Sequence, residues 1–472
     1  METYKIKEAI SNITEDPPEV EDQEEVLQPE SILRHEDKVL RHGPKNPTQQ
    51  KIHVEMAAAL RPTAAAIWAG AGTRLPTLRS SSFLIRCHLH LATDSTADST
   101  GPWATEDSKI LLKGMVYKEL DAWVKSYGYK SNQALMLWRW MYGSRKWAQH
   151  VDDLDGFNKS FIDTLRDTVE FNALSCEETR MAADGTRKMI FSVGNSDRIE
   201  TVLIPGPRNR VTVCVSSQVG CAMNCQFCYT GRMGLKRNLT TAQIVEQLVI
   251  AQRKCSGEMG QVTNVVFMGM GEPLHNIENV LRAAEIMTDL HGLHISPRKV
   301  TVSTSGLVPQ LRRFCKESPC SLAVSLNATT DEVRNWIMPI NRKYNLATLL
   351  GALRDELSAK KDFKVFFEYV LLAGINDSMD DAHRLIELVK DIPCKINLIT
   401  FNPHAGASFL PTPEQQMLQF RDIVSNAGLV VAIRHSRGDD QMAACGQLGK
   451  LGLEQAPKLR VPPQFEASLA HC

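Results

Sequence analysis

Five apolar stretches recur down the second half of the chain, TNVVFMG (263–269), KVTVST (299–304), SLAVSLN (321–327), KVFFEYVLL (364–372) and KINLITFN (395–402). Helical patterns fall between them near 240–254, 276–290, 347–359 and 378–390. A buried strand followed by an amphipathic helix, repeated, is the cadence of a parallel α/β sheet, in which crossover helices cover the strands. With VTVCVSS (211–217) ahead of them the strands are too few for a closed eight-fold barrel. In parallel barrels ligands gather at the carboxyl ends of the strands, so chemistry is expected where these stretches stop.

VTVCVSSQVGCAMNCQFCYTG (211–231) places Cys221, Cys225 and Cys228 in a C-x3-C-x2-C run directly after a strand. That spacing lets one short loop wrap three thiolates around a metal cluster. Three thiolates on a [4Fe-4S] cluster leave one iron open to the amino and carboxylate groups of a small molecule such as S-adenosylmethionine. Structural zinc needs four closed ligands and normally a second CxxC or a His pair, and none follows at usable distance. Phe227 and Tyr229 beside the last cysteines would wall a cluster from water.

Upstream, MVYKELDAWVKSYGYKSNQALMLWRWMY puts Leu120, Trp123, Val124 and Tyr127, then Ala134, Leu137, Trp138 and Met141, at helical spacing. Its polar faces carry Lys118, Lys125, Lys130, Arg139, Arg145 and Lys146, which suit phosphate contacts or a plain solvated surface. Asp184-Gly185-Thr186 reads as a turn between two short strands, RKMIFSV and IETVLIP, a β pair that leads into the cluster strand. Glu200, in the second of these, sits among apolar neighbours that would raise its pKa towards a base's range, although an outward salt-bridge partner fits equally. Gly269-Met270-Gly271-Glu272-Pro273 follows a strand, where glycines allow close backbone approach and Glu272 can accept from an ammonium group. Near the end, Cys445 lies between Ala444 and Gly446, small neighbours that leave a thiol accessible.

These segments resemble the radical-SAM superfamily, and CVSSQVGC with RGDD-x-x-AACGQL (437–448) resembles its RlmN/Cfr branch of adenosine-C2/C8 RNA methyltransferases, over about Lys109–Leu453. The resemblance implies an open (βα)6 partial barrel with an N-terminal helical RNA-binding module. It also implies one [4Fe-4S] cluster on Cys221, Cys225 and Cys228, and S-adenosylmethionine used twice per turnover. Gly271, Glu272, Ser303, Ser325, Leu326, Asn327 and Asn402 would contact that cofactor, although related chains carry His where Asn327 stands. Cys445 would be the methyl-carrying cysteine, Cys214 the resolving thiol that forms a transient disulfide with it, and Glu200 the proton acceptor. Methylation of adenine C2 in large-subunit rRNA, tRNA or both follows, with a ferredoxin- or flavodoxin-type electron donor and a thiol reductant. A Cfr-like C8 enzyme and a non-catalytic cluster- or zinc-bearing RNA-binding factor are the alternatives. Arg334, Met338, Pro339, Asn341 and Lys343 lie in VRNWIMPINRKY, whose basic groups could meet phosphate.

The domain reading is an acidic, unstructured extension (1–55), a transit-peptide-like segment (56–100), the helical module (109–175), a β linker (176–206), the barrel (207–440) and a C-terminal segment (441–472). The final EQAPKLRVPPQFEASLAHC reads as a flexible tail. Four Arg and no acid between Met56 and Asp94 suggest an organellar address, chloroplast ahead of mitochondrion or cytoplasm, with Met56 as a start. The 54 basic and 54 acidic side chains cancel, so affinity for RNA must come from local patches. Twelve scattered cysteines fit a reducing compartment. No apolar run reaches the ~18 residues of a membrane span. A monomer is expected.

Overall fold

The computed structural model describes residues 109–469 other than 144, 195, 359, 361, 362, 453 and 454. The segments 1–55 and 56–100, with Cys87 and Cys472, lie outside the described residues. Ten strands form one sheet: β1 Ser175–Met181, β2 Arg187–Val193, β3 Asp197–Gly206, β4 Arg210–Cys214, β5 Gln261–Phe267, β6 Val300–Thr304, β7 Ser321–Ser325, β8 Val365–Leu371, β9 Cys394–Thr400 and β10 Val431–Arg434. Their spatial order is their chain order. The first four pair antiparallel and the rest continue parallel from β4. The sheet therefore runs between two free edges, as an open barrel requires. The six expected parallel strands are all present, and β10 adds a short seventh whose sequence, VAIR, carries too little apolar alternation to announce itself.

Parallel register explains why the strands look continuously apolar yet hold a polar row. Partners in register project to the same face, as do residues two apart. Val213, Val265, Val302, Val324, Phe367 and Leu398 thus fall on one face, all buried beneath the crossover helices. Cys214, Asn264, Ser303, Ser325, Glu368, Asn397 and Arg434 fall on the other. The crossover helices are α1 Thr241–Cys255, α2 Ile277–Thr288, α3 Val308–Glu317, α4 Asp331–Ile337, α5 Leu346–Leu357, α6 Met379–Val389 and α7 Glu414–Asn426. Thr240 starts α1 as a capping box, accepting from Gln243 N (3.3 Å) while Gln243 Oε1 accepts from Thr240 N (3.1 Å). α3, α4 and α7 add to the four helical stretches read from the sequence, and α7 turns Met417, Phe420 and Val424 to the core.

Three helices, Tyr117–Ser126, Ser131–Tyr142 and Lys159–Thr168, form the N-terminal module, and Leu120, Val124, Ala134, Leu137, Trp138 and Met141 are buried as the stripe predicts. Tyr127 is exposed instead and stands beside the half-buried Trp123, ring centroids 5.1 Å apart. These helices share one core with the barrel and do not stand as a separate body. Lys113 Nζ lies 2.7 Å from Glu246 Oε1 of α1, both side chains fully buried, and Glu246 Oε2 accepts from Ala173 N at 3.1 Å. Trp138 Nε1 donates to Asp289 at 2.8 Å.

Two readings need correction. The Asp184-Gly185-Thr186 turn joins β1 to β2, while β2 reaches β3 through the Gly194 turn, so the region is a meander and not a pair. The C-terminal residues are also not a loose tail. Ala456 N donates to Arg232 O (2.8 Å), Leu459 N to Gln226 Oε1 (2.9 Å), and Phe465 stacks on Trp336 of α4 with centroids 5.5 Å apart. Leu459, Val461, Phe465 and Leu469 join a small second core with Phe409, Cys225 and Phe227. A pattern without strand or α-helical period packs as a strap of irregular chain ending in a 3₁₀ turn, Pro463–Ser468, which periodicity does not detect.

Candidate active site

The cysteine loop leaves the end of β4 and is closed at its base by a hairpin, Gln218–Gly220 against Leu235–Asn238. Gly220 has φ +74°, and a Cβ there would lie 1.8 Å from Gly234 O, so only glycine closes this base. Cys221 N donates to Gly234 O (2.8 Å) and Cys228 N to Cys225 O (3.1 Å), folding the three thiols round one loop. Burial pushes the Cys221 and Cys225 thiols well above the usual range, and charge on the neighbouring thiols pushes them further; burial also raises Cys228. Three thiolates in one loop, Cys221 buried and Cys225 and Cys228 half-buried, need a cation to hold them. Among the described residues no three Cys, His, Asp or Glu side chains converge on one metal ion. A cluster spreads its thiolates over separate irons, so three cysteines surrounding it without a fourth fit a [4Fe-4S] group with one open iron. The buried Ser217 Oγ and Asn224 Oδ1 beside the loop have no hydrogen-bond partner among the described residues, as polar groups left for a bound molecule or water would.

The GMGEP turn serves the protein's own packing. A Cβ on Gly269 would lie 2.8 Å from Val215 O, and one on Gly271 2.5 Å from Gln218 Cβ, so both glycines are needed to admit the segment after β4. The Glu272 carboxylate is buried and already accepts from Ser305 N (2.7 Å), Ser305 Oγ (2.8 Å) and Leu274 N (3.1 Å). Asn327, at φ +55°, spends its side chain on Val370 N (2.8 Å) and Met338 Sδ (3.2 Å). Leu326 bonds Glu368 O through its N–H (3.0 Å). Ser303 and Ser325 stand half-buried on the polar face, free of such ties among the described residues.

Arg334 overturns its phosphate assignment. It is fully buried, and its guanidinium donates to the carbonyls of Leu326 (2.9 Å), Ser305 (2.8 Å) and Ser325 (2.9 Å) and to Asn341 Oδ1 (2.8 Å). It clamps the ends of β6 and β7 together. Asn341 is buried likewise, while Lys343 is exposed.

Cys445 rides on a loop pinned at every side. Asn402 Nδ2 donates to Cys445 O (3.0 Å), Tyr229 N to Gly446 O (2.7 Å), Thr230 Oγ1 to Leu448 O (2.6 Å) and Gln447 Nε2 to Pro403 O (2.8 Å). Tyr229 directly follows Cys228, so the methyl-carrying candidate is tied to the cluster loop. The Cys445 surface is open to solvent, but dense protein around it and the charges of Cys214, Cys228 and Glu368 push its thiol up to about 12. Cys214 is buried, its thiol also raised to about 12, and the two remain free thiols. The structure therefore brings Cys214 into electrostatic range of Cys445 although 231 positions separate them in sequence (445 − 214).

Glu200 completes the group. Its Oε2 accepts from Gly449 N at 3.0 Å and lies 3.5 Å from Lys188 Nζ, which also donates to Met442 O at 3.0 Å. Burial raises the Glu200 carboxyl, and the Lys188 ammonium opposes that rise. It opens on a cavity of about 890 Å³ between the β1–β3 meander, Tyr229, Met233 and the Gly449 segment. Sequence reasoning missed Lys188, Glu368, Asn397, Arg434 and His404. Glu368 Oε1 accepts from Asn397 Nδ2 (2.8 Å), and Asn397 Oδ1 from Arg434 Nε (3.0 Å), a chain across three strands that runs from buried Glu368 and Asn397 to exposed Arg434. His404 Nε2 meets Phe227 O at 3.2 Å, inside the cysteine loop. A lone charge or amide at alternate positions of KVFFEYV and KINLIT was the available signal.

A radical SAM superfamily model matches residues 215–386. The chain is 45% identical over 343 residues to the dual-specificity RNA methyltransferase RlmN of Syntrophobacter fumaroxidans, covering 72% of this chain and 98% of that protein. It is 46% identical over 349 residues to the RlmN of Geobacter sulfurreducens, covering 73% and 94%. A solved radical SAM methyltransferase from Sphaerobacter thermophilus superposes with TM-score 0.68 at 38% identity, covering 72% of this chain and 98% of that one. Thiols, carboxylate and polar face thus sit in a chain that belongs to the RlmN-type family of radical SAM RNA methyltransferases.

Proposed function

We propose that this protein methylates C2 of an adenosine in large-subunit rRNA, tRNA or both, through a methyl group carried on Cys445. The observation that carries the reading is the double tie of one loop: Gly446 O to Tyr229 N beside the cysteine cluster loop, and Gly449 N to Glu200. A carbon as unreactive as adenine C2 is no nucleophile and needs radical chemistry, which a reduced [4Fe-4S] cluster with bound S-adenosylmethionine supplies. Cys221, Cys225 and Cys228 would hold that cluster. Ser303, Ser325, Glu272, Gly271, Leu326, Asn327 and Asn402 would form the cofactor wall, with Ser303 and Ser325 in direct contact and the others acting chiefly through the backbone they brace.

Cys445 supplies sulfur to a methyl group and later to the adenine adduct. Cys214 attacks that sulfur to free the product, leaving a disulfide that an external thiol reduces. Glu200 accepts the proton whose loss restores the aromatic ring, and Lys188 keeps enough carboxylate present for the task. The base must be drawn out of its stack to reach them, as enzymes that act on a base require. An organellar address, plastid ahead of mitochondrion, and a monomeric state belong to the same proposal. Incubating the reconstituted holoprotein with unmodified rRNA and tRNA, then digesting to nucleosides, tests it: 2-methyladenosine supports it, 8-methyladenosine assigns the C8 chemistry, and neither product refutes it.

A further inference from the structure

The cluster loop is approached from two sides. Glu200 opens to the larger cavity; the second concavity, about 520 Å³, is bounded by Ala222, Met223 and Asn224 of the loop and by Arg342 and Lys343 opposite. The two share no lining residue. The strap borders the second side, since Asn224 Nδ2 donates to Pro457 O (3.0 Å) and Leu459 N to Gln226 Oε1 (2.9 Å). Lys458 and Arg460 alternate with these anchors and are exposed, as are Arg342 and Lys343. Among the described residues none of the four pairs with a carboxylate. Of the acids nearby, Glu332 meets Gln464 and Glu466 is exposed at the other end of the strap, while Asp331 accepts from Asn341 Nδ2 (2.8 Å) and Leu346 N (2.9 Å). A chain with no net charge therefore gathers unpaired positive charge around the tip of the loop that would carry the cluster.

We propose that this face, framed by Arg342, Lys343, Lys458 and Arg460, docks an acidic one-electron carrier protein that reduces the cluster through the Ala222–Asn224 tip. The inference rests on the proposed radical chemistry, which requires a reduced cluster. One electron leaves the carrier's flavin or iron-sulfur group and enters the cluster; no bond is made or broken and no proton moves. Electron transfer falls steeply with distance, and exposed Ala222 directly follows Cys221, so a carrier seated here would stand close to the cluster. Opposite charge on the carrier would speed encounter and fix its orientation, in a salt-dependent way. RNA fits this face less well, because the loop that bears Cys445 is tied through Gly449 to Glu200, whose cavity shares no lining residue with this one.

The test uses anaerobic holoprotein, wild type against Arg342→Glu/Lys343→Glu and against the quadruple variant that adds Lys458→Glu/Arg460→Glu. Cluster reduction by pre-reduced flavodoxin is followed optically at low and high salt, with dithionite as a small reductant and a tRNA binding curve alongside. The docking face predicts at least a tenfold slower reduction by flavodoxin at low salt, a gap that closes at high salt, with dithionite reduction and tRNA affinity unchanged. Unchanged flavodoxin kinetics would overturn it, as would lost tRNA affinity with intact reduction, which assigns the patch to RNA. Failure of the methyltransferase reading is separable: it shows as absent adenosine methylation with dithionite as the electron source.

Discussion

Gly449 donates its backbone N–H to the Glu200 carboxylate at 3.0 Å, tying the loop that bears Cys445 to the strand that bears the candidate proton acceptor. The same loop is held to Tyr229 through Gly446. Position of the proposed methyl carrier, the proposed base and the cysteine loop is thus one geometric property, set by backbone hydrogen bonds that a side-chain motif alone does not reveal.

Glu200 must be ionised to accept a proton, and burial raises its pKa while Lys188 lowers it. Lys188→Met removes the lowering influence, so the acid limb of the methylation rate against pH moves to higher pH and the alkaline side is little changed. Glu200→Gln removes the acceptor and lowers the rate about 10²–10⁴-fold. A pH–rate profile of single turnovers checks both; an acid limb that shifts to lower pH in Lys188→Met contradicts the assignment.

The buried Lys113–Glu246 pair joins the N-terminal module to α1. Lys113→Met strands a carboxylate without its cation, and the loss is about 3–5 kcal/mol. Lys113→Met/Glu246→Leu recovers part of it, less the bond to Ala173 N. Urea midpoints of the two variants measure this, and equal midpoints would show that the pair's charges are not coupled.

Arg334 holds three strand-end carbonyls and Asn341 from a fully buried position. Arg334→Met leaves those acceptors unpaired, each at about 1–3 kcal/mol. The variant is expected to lose several kcal/mol and to bind S-adenosylmethionine weakly, since Ser303 and Ser325 lie on the strands it clamps. Stability by denaturant and affinity by calorimetry report the two effects; a stable variant with weakened RNA binding would restore the phosphate reading of Arg334.

The strap packs Leu459 and Phe465 over the side of the loop that holds Cys225 and Phe227. A chain ending at Gln455 keeps the barrel core but uncovers that side. Its reconstituted cluster absorbance is expected to bleach several-fold faster in air than that of the full chain, with the anaerobic spectrum unchanged. Equal bleaching rates would mean that the strap does not shield the loop.

The parallel sheet was legible because each buried strand is an apolar run between helices, and the cysteine loop because its spacing fits few other structures. Cys214, Glu200 and Cys445 emerged only through family resemblance, since a single thiol or carboxylate has no period of its own. Glu368, Asn397 and Arg434 stayed hidden for a related reason: they become one row only when three strands align in register. The strap was misread because irregular chain without alternation looks like solvent-exposed coil until its partners Trp336 and Gln226, far away in sequence, are in place.

The central claim is that Cys445 carries the methyl group to an adenine. Nucleoside mass analysis of rRNA and tRNA treated with reconstituted holoprotein addresses it most directly, comparing wild type, Cys445→Ala and Cys214→Ala. The account predicts 2-methyladenosine from wild type, none from Cys445→Ala, and an RNA–protein adduct from Cys214→Ala, whose Cys445 sulfur cannot be released. Undiminished 2-methyladenosine from Cys445→Ala would contradict it.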